Sequence, residues 1–412
     1  MERIILHSDL NSFYASVEMM LNPSLRGKAV AVCGSTEDRH GIVLAKSELA
    51  KRAGIKTGMV NWEAKQKCPE LILVKPQYEQ YLKYSALTRA IYYRYTDMVE
   101  PFGMDECWID CTGSQRIFGD GMQIAEAIRA AVKEELGLTV SIGVSFNKIF
   151  AKLGSDMKKP DAITEVNREN FKNKVWPLPA SDMIYVGRAT TKKLADKGIA
   201  TIGDIAAWDP KYLRDWLGVN GEMIWNFASG NDTSRVAHRD FVSPVKSIGH
   251  GITCVADLEN ENEVWKVMLE LSQDIGHRLR VHELLAGGVQ ITVKNNDLYY
   301  NQYQTQFRLA TRSPMTIAEK ARELFQTRYD WSRPVRALTV RAINLVPQTT
   351  TQQIDLFTDM EHIEKRDRLE TAIENIRRRF GKRSIYSAAL MGDLKMPGYS
   401  SHEIVMPGMM YS

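Results

Sequence analysis

The sequence has no CxxC pair, and its five cysteines (Cys33, Cys68, Cys107, Cys111 and Cys254) are odd in number and irregular in spacing. This excludes a disulfide-stapled secreted scaffold and the usual zinc motifs, and it predicts reduced thiols in a cytosolic chain. Cys107 and Cys111 lie four apart, on one face if the segment is a strand, and read as small buried side chains. No run approaches the roughly 18 apolar residues that span a bilayer. The chain enters "RIILHSDL" without a signal-peptide pattern, so the cytoplasm is the expected compartment. No repeat of 20–50 residues is visible. Neither charge sign dominates. A net charge of +4 permits a polyanionic partner without requiring one.

With 412 residues, 44% of them hydrophobic, two to four globular domains are expected. "RIILHSD" (3–9) is a β-rich run, and "NSFYASVEMML" (11–21) has helical spacing with Asn11 as a possible N-cap. Strands follow at 28–34 and 41–47, then a helix over 78–95. "MVEPFGMDECWIDCTG" (98–113) reads as two strands joined near Gly103–Asp105. An amphipathic helix (119–137) and a strand (139–146) complete an alternation that suits a split βαβ sheet of the α+β class. Residues 177–230 look helical, and 231–247 read as a linker. A second α+β region covers 247–347, with helices near 260–283 and 315–328. A charged helix is expected over 361–381.

Inside this pattern Asp105 and Glu106 sit side by side among apolar residues. Two ionised carboxylates repel unless they are solvated or share a cation. A third carboxylate, Asp9, ends the first strand, which a split βαβ sheet would place beside the 98–111 hairpin. Three such groups suit one or two hard divalent cations, about 3.5–4 Å apart when paired. Taken alone, the dipeptide reads as an ordinary turn, and Asp9 at a strand end only adds weight to the metal reading.

Three stretches together decide more than the carboxylates do. "HSDLNSFYASVE" (7–18), "VEPFGMDECWID" (99–110) and "SIGVSFNKIFAKLGSDMKKP" (141–160) resemble the Y-family DNA polymerases of the DinB/UmuC group, and "KSIGHGIT" (246–253) resembles the start of that family's fourth domain. The resemblance implies a multidomain right-hand polymerase. Its palm would be residues 1–18 and 76–167, its fingers 19–75, its thumb 168–235 with a helix–hairpin–helix, and its little finger 245–348. A linker (236–244) and a tail (349–412) complete the chain. Asp9, Asp105 and Glu106 match the family's metal-binding carboxylates, with the Leu10 carbonyl as a further ligand and two Mg²⁺ ions as cofactor. Tyr14 matches the steric gate that rejects ribonucleotides, with Phe13 beside it. Lys159 matches a lysine that contacts the triphosphate, whereas Lys158 reads as solvated.

The chain also departs from the family. Ala45, Glu48 and Lys51 stand where Thr, Tyr and Arg commonly meet the triphosphate. Lys51 keeps the charge without the planar fork of Arg, and Glu48 is expected to face outward. Ile42 and Leu44 roof the templating base more tightly than alanine would. Asn11 replaces a second Asp and is not expected to ligate metal. Gly103 replaces a common Ser.

"IYVGRATTKKLADKGIATIGDIA" (184–206) resembles the helix–hairpin–helix, with Tyr185 in place of the usual first glycine and Gly187 retained. Arg188, Lys192, Lys193 and Lys197 fit a face that tracks a DNA backbone. Residues 216–230 look like a weaker second copy, and 293–313 like the little-finger sheet that lies in the major groove. "QIDLF" (353–357) resembles a sliding-clamp motif carried by Gln353, Leu356 and Phe357. The expected activity is low-fidelity, template-directed synthesis from dNTPs on primer–template DNA by a monomer without proofreading. A catalytically weak DNA-binding accessory protein of the same fold is the alternative. A nucleotide cyclase would explain the carboxylates but not the hairpin motif.

Overall fold

The computed structural model describes residues 2–354 and 358–397. The first strand, β1 (Ile5–Leu10), is buried at all six positions, which requires cover on both faces of its sheet. It belongs to a unit formed by Met1–Gly34 and Ile42–Val242. The other strands of that unit are Val30–Cys33 (β2), Val43–Lys46 (β3), Ile72–Val74 (β4), Val99–Phe102 (β5), Glu106–Asp110 (β6), Val140–Ser145 (β7) and Ile163–Val166 (β8).

The palm sheet has the order β5-β6-β1-β7-β8 and is antiparallel except between β7 and β8. One face buries Leu6, Leu10 and Ile109 with the helices Phe13–Leu21, Tyr78–Tyr92 and Gly121–Leu136. Cys107 and Cys111 lie in this core, and all five cysteines are free and buried. The other face buries Ile5 and Trp108 under the helix Lys148–Met157 and the thumb. Gly143 of β7 permits that helix to come close. A Cβ there would stand 1.8 Å from the Ala151 carbonyl oxygen, so only glycine fits.

The fingers carry a small sheet of order β3-β2-β4 and the helices Glu48–Arg52 and Asn61–Lys67 around their own core. The thumb contains five short helices among the described residues: Phe171–Val175, Arg188–Ala195, Ile202–Ala207, Pro210–Leu217 and Val219–Ala228. Three elements are absent from the sequence reading and one cap needs correcting. The elements are strand β4, the helix Lys148–Met157 and strand β8. β4 and β8 span only three and four residues, too few to establish a period. The first helix is capped at Ser12, without a side-chain cap bond, and not at Asn11.

A buried ion pair joins β5 to the helix Lys148–Met157 inside the palm and also meets the chain that follows the thumb. Lys148 Nζ lies 2.8 and 2.7 Å from the two Glu100 oxygens, and Glu100 also accepts from the Ala237 amide at 2.9 Å. The ammonium sits 4.5 Å from the Trp108 ring centroid. Removing one partner would leave a buried charge uncompensated, so Lys148→Ala is expected to cost about 3–5 kcal/mol. Urea unfolding measures this, and a loss below about 1 kcal/mol would assign the pair no structural weight.

Among the described residues, the second unit is formed by Ser35–Gly41, 243–354 and 358–397. Its sheet consists of β9 (Ile248–Leu258), β10 (Leu284–Asn295), β11 (Tyr300–Thr311) and β12 (Val335–Pro347), in the antiparallel order β11-β10-β12-β9. The helices Glu261–Val281 and Pro314–Arg328 pack on one face. The other face is polar, with Gln290 and Gln304 bonded at 3.0 Å. The helix Met360–Phe380 buries no residue. Charged pairs hold it, among them Arg312–Asp367 at 3.0 Å and Arg280–Glu370 at 3.1 Å.

Candidate active site

The hairpin β5–β6 turns at Gly103, whose φ of 78° is the left-handed conformation that glycine adopts freely. The turn delivers Asp105 and Glu106 to the start of β6. Register pairs Asp9 with Glu106 across β1 and β6, and the Leu10 amide donates to the Asp105 carbonyl at 3.0 Å. Sheet pairing thus gathers three carboxylates from residues a hundred positions apart.

Their surroundings are short of water and rich in like charge. Burial, then repulsion from Glu106 and Asp105, outweighs Lys159 and raises Asp9 to about 7. Burial and the neighbouring Glu106 raise Asp105 to about 6. Glu106 goes the other way. Against its own burial, the contact with His7 and the Lys152 ammonium bring it down to about 2.

Two lysines supply the positive charge this cluster requires. Lys159 Nζ lies 2.6 Å from Asp9 Oδ2 and 2.8 Å from Asp156 Oδ1. Lys152 Nζ donates to Glu106 Oε2. Among the described residues no three His, Cys, Asp or Glu side chains form a ready metal cage. Asp9 and Glu106 are each turned onto a lysine. The donor set nevertheless fits a hard divalent cation, because it offers buried carboxylate oxygens held close against their own repulsion. Protons compete with metal for such ligands. Above about pH 7 both aspartates are ionised, and below about 6 both are protonated. The Mg²⁺ concentration for half-maximal binding should therefore rise about tenfold or more as pH falls from 8 to 6. Calorimetric titration reads this, and a pH-independent affinity would contradict it.

Sequence reasoning missed three supports of this site. His7 is fully buried. Its Nδ1 bonds with Ser155 Oγ at 2.8 Å and its Nε2 lies 3.1 Å from Glu106 Oε2. Burial lowers it to about 4, so it is neutral at pH 7. Lys152 projects from the helix Lys148–Met157 to the same oxygen. No local signal reveals either role, since a lone His in an apolar run reads as core. Asn11 is the third, and its partners are described below.

Tyr14 is half-buried in the first helix, stacked on Tyr81 with centroids 4.2 Å apart and 7° between planes. Its hydroxyl reaches Met104 Sδ at 3.5 Å, one residue before Asp105. Burial, then Asp105 and Tyr78, push it up to about 12, so it is neutral. Tyr81 is fixed in turn by Glu18, which accepts from its hydroxyl and from Gln77 Nε2 at 2.7 Å. The Phe13 side chain is 3% exposed.

The fingers correct one expectation. Glu48 does not face outward. Its Oε1 accepts from Ser12 Oγ at 3.0 Å, at the start of the first helix. The hydroxyl and the positive end of that helix give the carboxylate a partner on the palm side. Lys51 is exposed on the helix Glu48–Arg52.

In the thumb, Tyr185 takes φ +69°, so a tyrosine occupies the left-handed position usual for glycine. Gly187 has φ −78° and nothing within 4 Å of a built Cβ. It leaves open backbone at the N-terminus of the helix Arg188–Ala195. A cleft of about 520 Å³ lies there, lined by Gly187, Arg188, Thr191 and Lys192. Lys193 and Lys197 are exposed nearby. Gln353 is exposed, whereas Leu356 and Phe357 lie outside the described residues.

A carboxylate cluster on a split βαβ palm, with a helical thumb and a separate α+β unit, defines the right-hand polymerase class. A solved Y-family DNA polymerase chimera matches with a TM-score of 0.74 at 22% identity, covering 84% of this chain and 99% of that one, and shares this fold. Residues 8–156 match the model of the impB/mucB/samB family, and residues 245–356 match that of its C-terminal domain. A protein named DNA polymerase IV from Acetivibrio thermocellus is 48% identical over 393 residues, 95% of this chain and 98% of the relative. DNA polymerase IV 2 of Bacillus subtilis is 36% identical over 395 residues, 94% of each chain. The chain belongs to the impB/mucB/samB family, among the DinB-like Y-family DNA polymerases. Membership implies dependence on a divalent metal and DNA as substrate. No helix among the described residues is long and apolar enough to cross a membrane.

Proposed function

We propose that this translesion DNA polymerase extends a primer by two-Mg²⁺ phosphoryl transfer at Asp9, Asp105, Glu106 and the Leu10 carbonyl. The reading rests above all on the pairing of Asp9 with Glu106 beside Asp105, buried together against their repulsion. The primer 3′-oxygen bonds to the α-phosphorus of a dNTP as the bond to the bridging oxygen breaks and pyrophosphate leaves. Bound metal lowers the pKa of the attacking hydroxyl and stabilises the leaving charge. Lys159 meets the triphosphate after exchanging Asp9 for phosphate oxygens. Lys51 adds charge from the fingers, and Tyr14 closes the space beside the sugar. Palm, fingers, thumb and little finger take the boundaries read from the sequence. No part of the chain is assigned to proofreading. The protein acts as a cytoplasmic monomer and recruits a sliding clamp through Gln353, Leu356 and Phe357.

The thumb cleft grips a DNA phosphate with the amides after Gly187, aided by Arg188, Lys192 and Lys193. Contacts to phosphate carry no sequence information, so Lys192→Ala with Lys193→Ala should weaken binding equally on unrelated duplexes. The slope of log affinity against log salt should fall by about 1–2. An unchanged slope would remove these lysines from the interface.

The function itself is tested by running the enzyme on a primed template carrying an abasic site. Mg²⁺-dependent extension past the lesion supports the reading. Extension on undamaged template alone would restrict it to ordinary synthesis.

A further inference from the structure

Asn11 follows β1 and is 6% exposed. Every polar group it carries is used inside the palm. Its amide donates to the Thr139 carbonyl at 2.9 Å, and its carbonyl accepts from Ser16 Oγ at 2.7 Å. Nδ2 donates to Ser141 Oγ at 2.8 Å. Oδ1 accepts from the Asp161 amide, also at 2.8 Å. The last bond reaches 150 residues along the chain, to the turn that carries Lys159.

That turn needs holding. Asp161 has φ 55°, a left-handed conformation uncommon for a residue other than glycine. Its carboxylate is taken by Arg129 at 2.9 Å and Lys133 at 2.8 Å, both on the helix Gly121–Leu136. Its amide is taken by Asn11. The turn is thus pinned from the helix side and from the strand that carries Asp9. Lys159 lies two residues before Asp161, with Nζ 2.6 Å from Asp9 Oδ2. One short segment, Asp9 to Asn11, therefore holds both the head of Lys159 and the backbone from which it springs.

We propose that Asn11 is a positioning residue: it fixes the 159–161 turn so that Lys159 presents its ammonium at the Asp9 end of the site, where the triphosphate binds. The amide side chain suits the task because it carries a donor and an acceptor in one rigid plane. It gives the donor to Ser141 and the acceptor to Asp161. An aspartate there would keep the acceptor. The Ser141 hydroxyl would have to turn round to donate, and a further negative charge would enter beside Asp9 and Asp161. The inference rests on the reading of Lys159 as a triphosphate contact.

The test is single-nucleotide incorporation with saturating primer–template, measured for wild type, Asn11→Ala, Asn11→Asp, Lys159→Ala and the Asn11→Ala/Lys159→Ala pair. Losing one hydrogen bond to a backbone amide should raise the dNTP KM of Asn11→Ala about five- to tenfold, with kcat within about twofold. The dissociation constant for primer–template should not move. Asn11→Asp should recover most of the KM, since it keeps the acceptor for Asp161. The double variant should be no worse in KM than Lys159→Ala, because a turn that no longer carries the lysine has nothing left to position. A wild-type KM in Asn11→Ala, or KM penalties that multiply in the double variant, would overturn the proposal. So would a loss in Asn11→Asp equal to that in Asn11→Ala. If Lys159→Ala alone leaves the KM unchanged, the reading of Lys159 fails instead, and the two failures are told apart.

Discussion

Replacing Asp105 and Glu106 together by alanine abolishes primer extension while leaving binding to primer–template DNA intact. The expected loss is at least about a thousandfold, since the variant forfeits two of three charged ligands and with them the electrostatic stabilisation of the transferring phosphoryl group. DNA affinity should hold, because the phosphate contacts proposed in the thumb lie elsewhere. The substitutions also relieve the repulsion that adds to burial in raising Asp9. The variant should fold, and lose Mg²⁺ affinity at pH 8. Extension within tenfold of wild type would show that the cluster is not the catalytic site.

Tyr14→Ala is the second large effect. The ring is stacked on Tyr81 and ends at Met104, beside the turn that carries Asp105. A ring so fixed would not move aside for a 2′-hydroxyl, so the proposed rejection is steric. Removing it should raise rNTP incorporation by about two orders of magnitude, with dNTP incorporation reduced far less. The support matters too. Tyr81 is held through Glu18, so loosening that pair should relax the gate partly. Gel-resolved single incorporations of rNTP against dNTP measure the ratio. An unchanged ratio would take Tyr14 out of the gate.

What the sequence disclosed about this site depended on distance along the chain. Asp105 and Glu106 were legible because a glycine turn between two short strands is a local pattern, and Asp9 because a strand end is local as well. That the two meet is a matter of register, which split βαβ topology suggests and pairing of Asp9 with Glu106 supplies. Glu48 was misjudged for the opposite reason. Its partner Ser12 is 36 residues away, and charge alone suggested solvent. Asn11 reads as a cap, and His7 has no role that its neighbours in sequence reveal. Their partners are distant in sequence: Ser141 meets Asn11 through the pairing of β1 with β7, Ser155 lies on the helix packed against Gly143, and Asp161 lies in the turn beyond that helix. The helix itself carries an amphipathic pattern, which a reading of 141–160 as one motif passes over.

The most direct measurement of the central claim is single-nucleotide incorporation by the wild-type chain in Mg²⁺, with each dNTP offered separately opposite each of the four template bases. The account predicts metal-dependent addition in which the complementary dNTP is preferred opposite every base, over a visible background of mispairs. DNA binding without any incorporation, at any metal concentration, would contradict it and leave a DNA-binding protein on a polymerase fold.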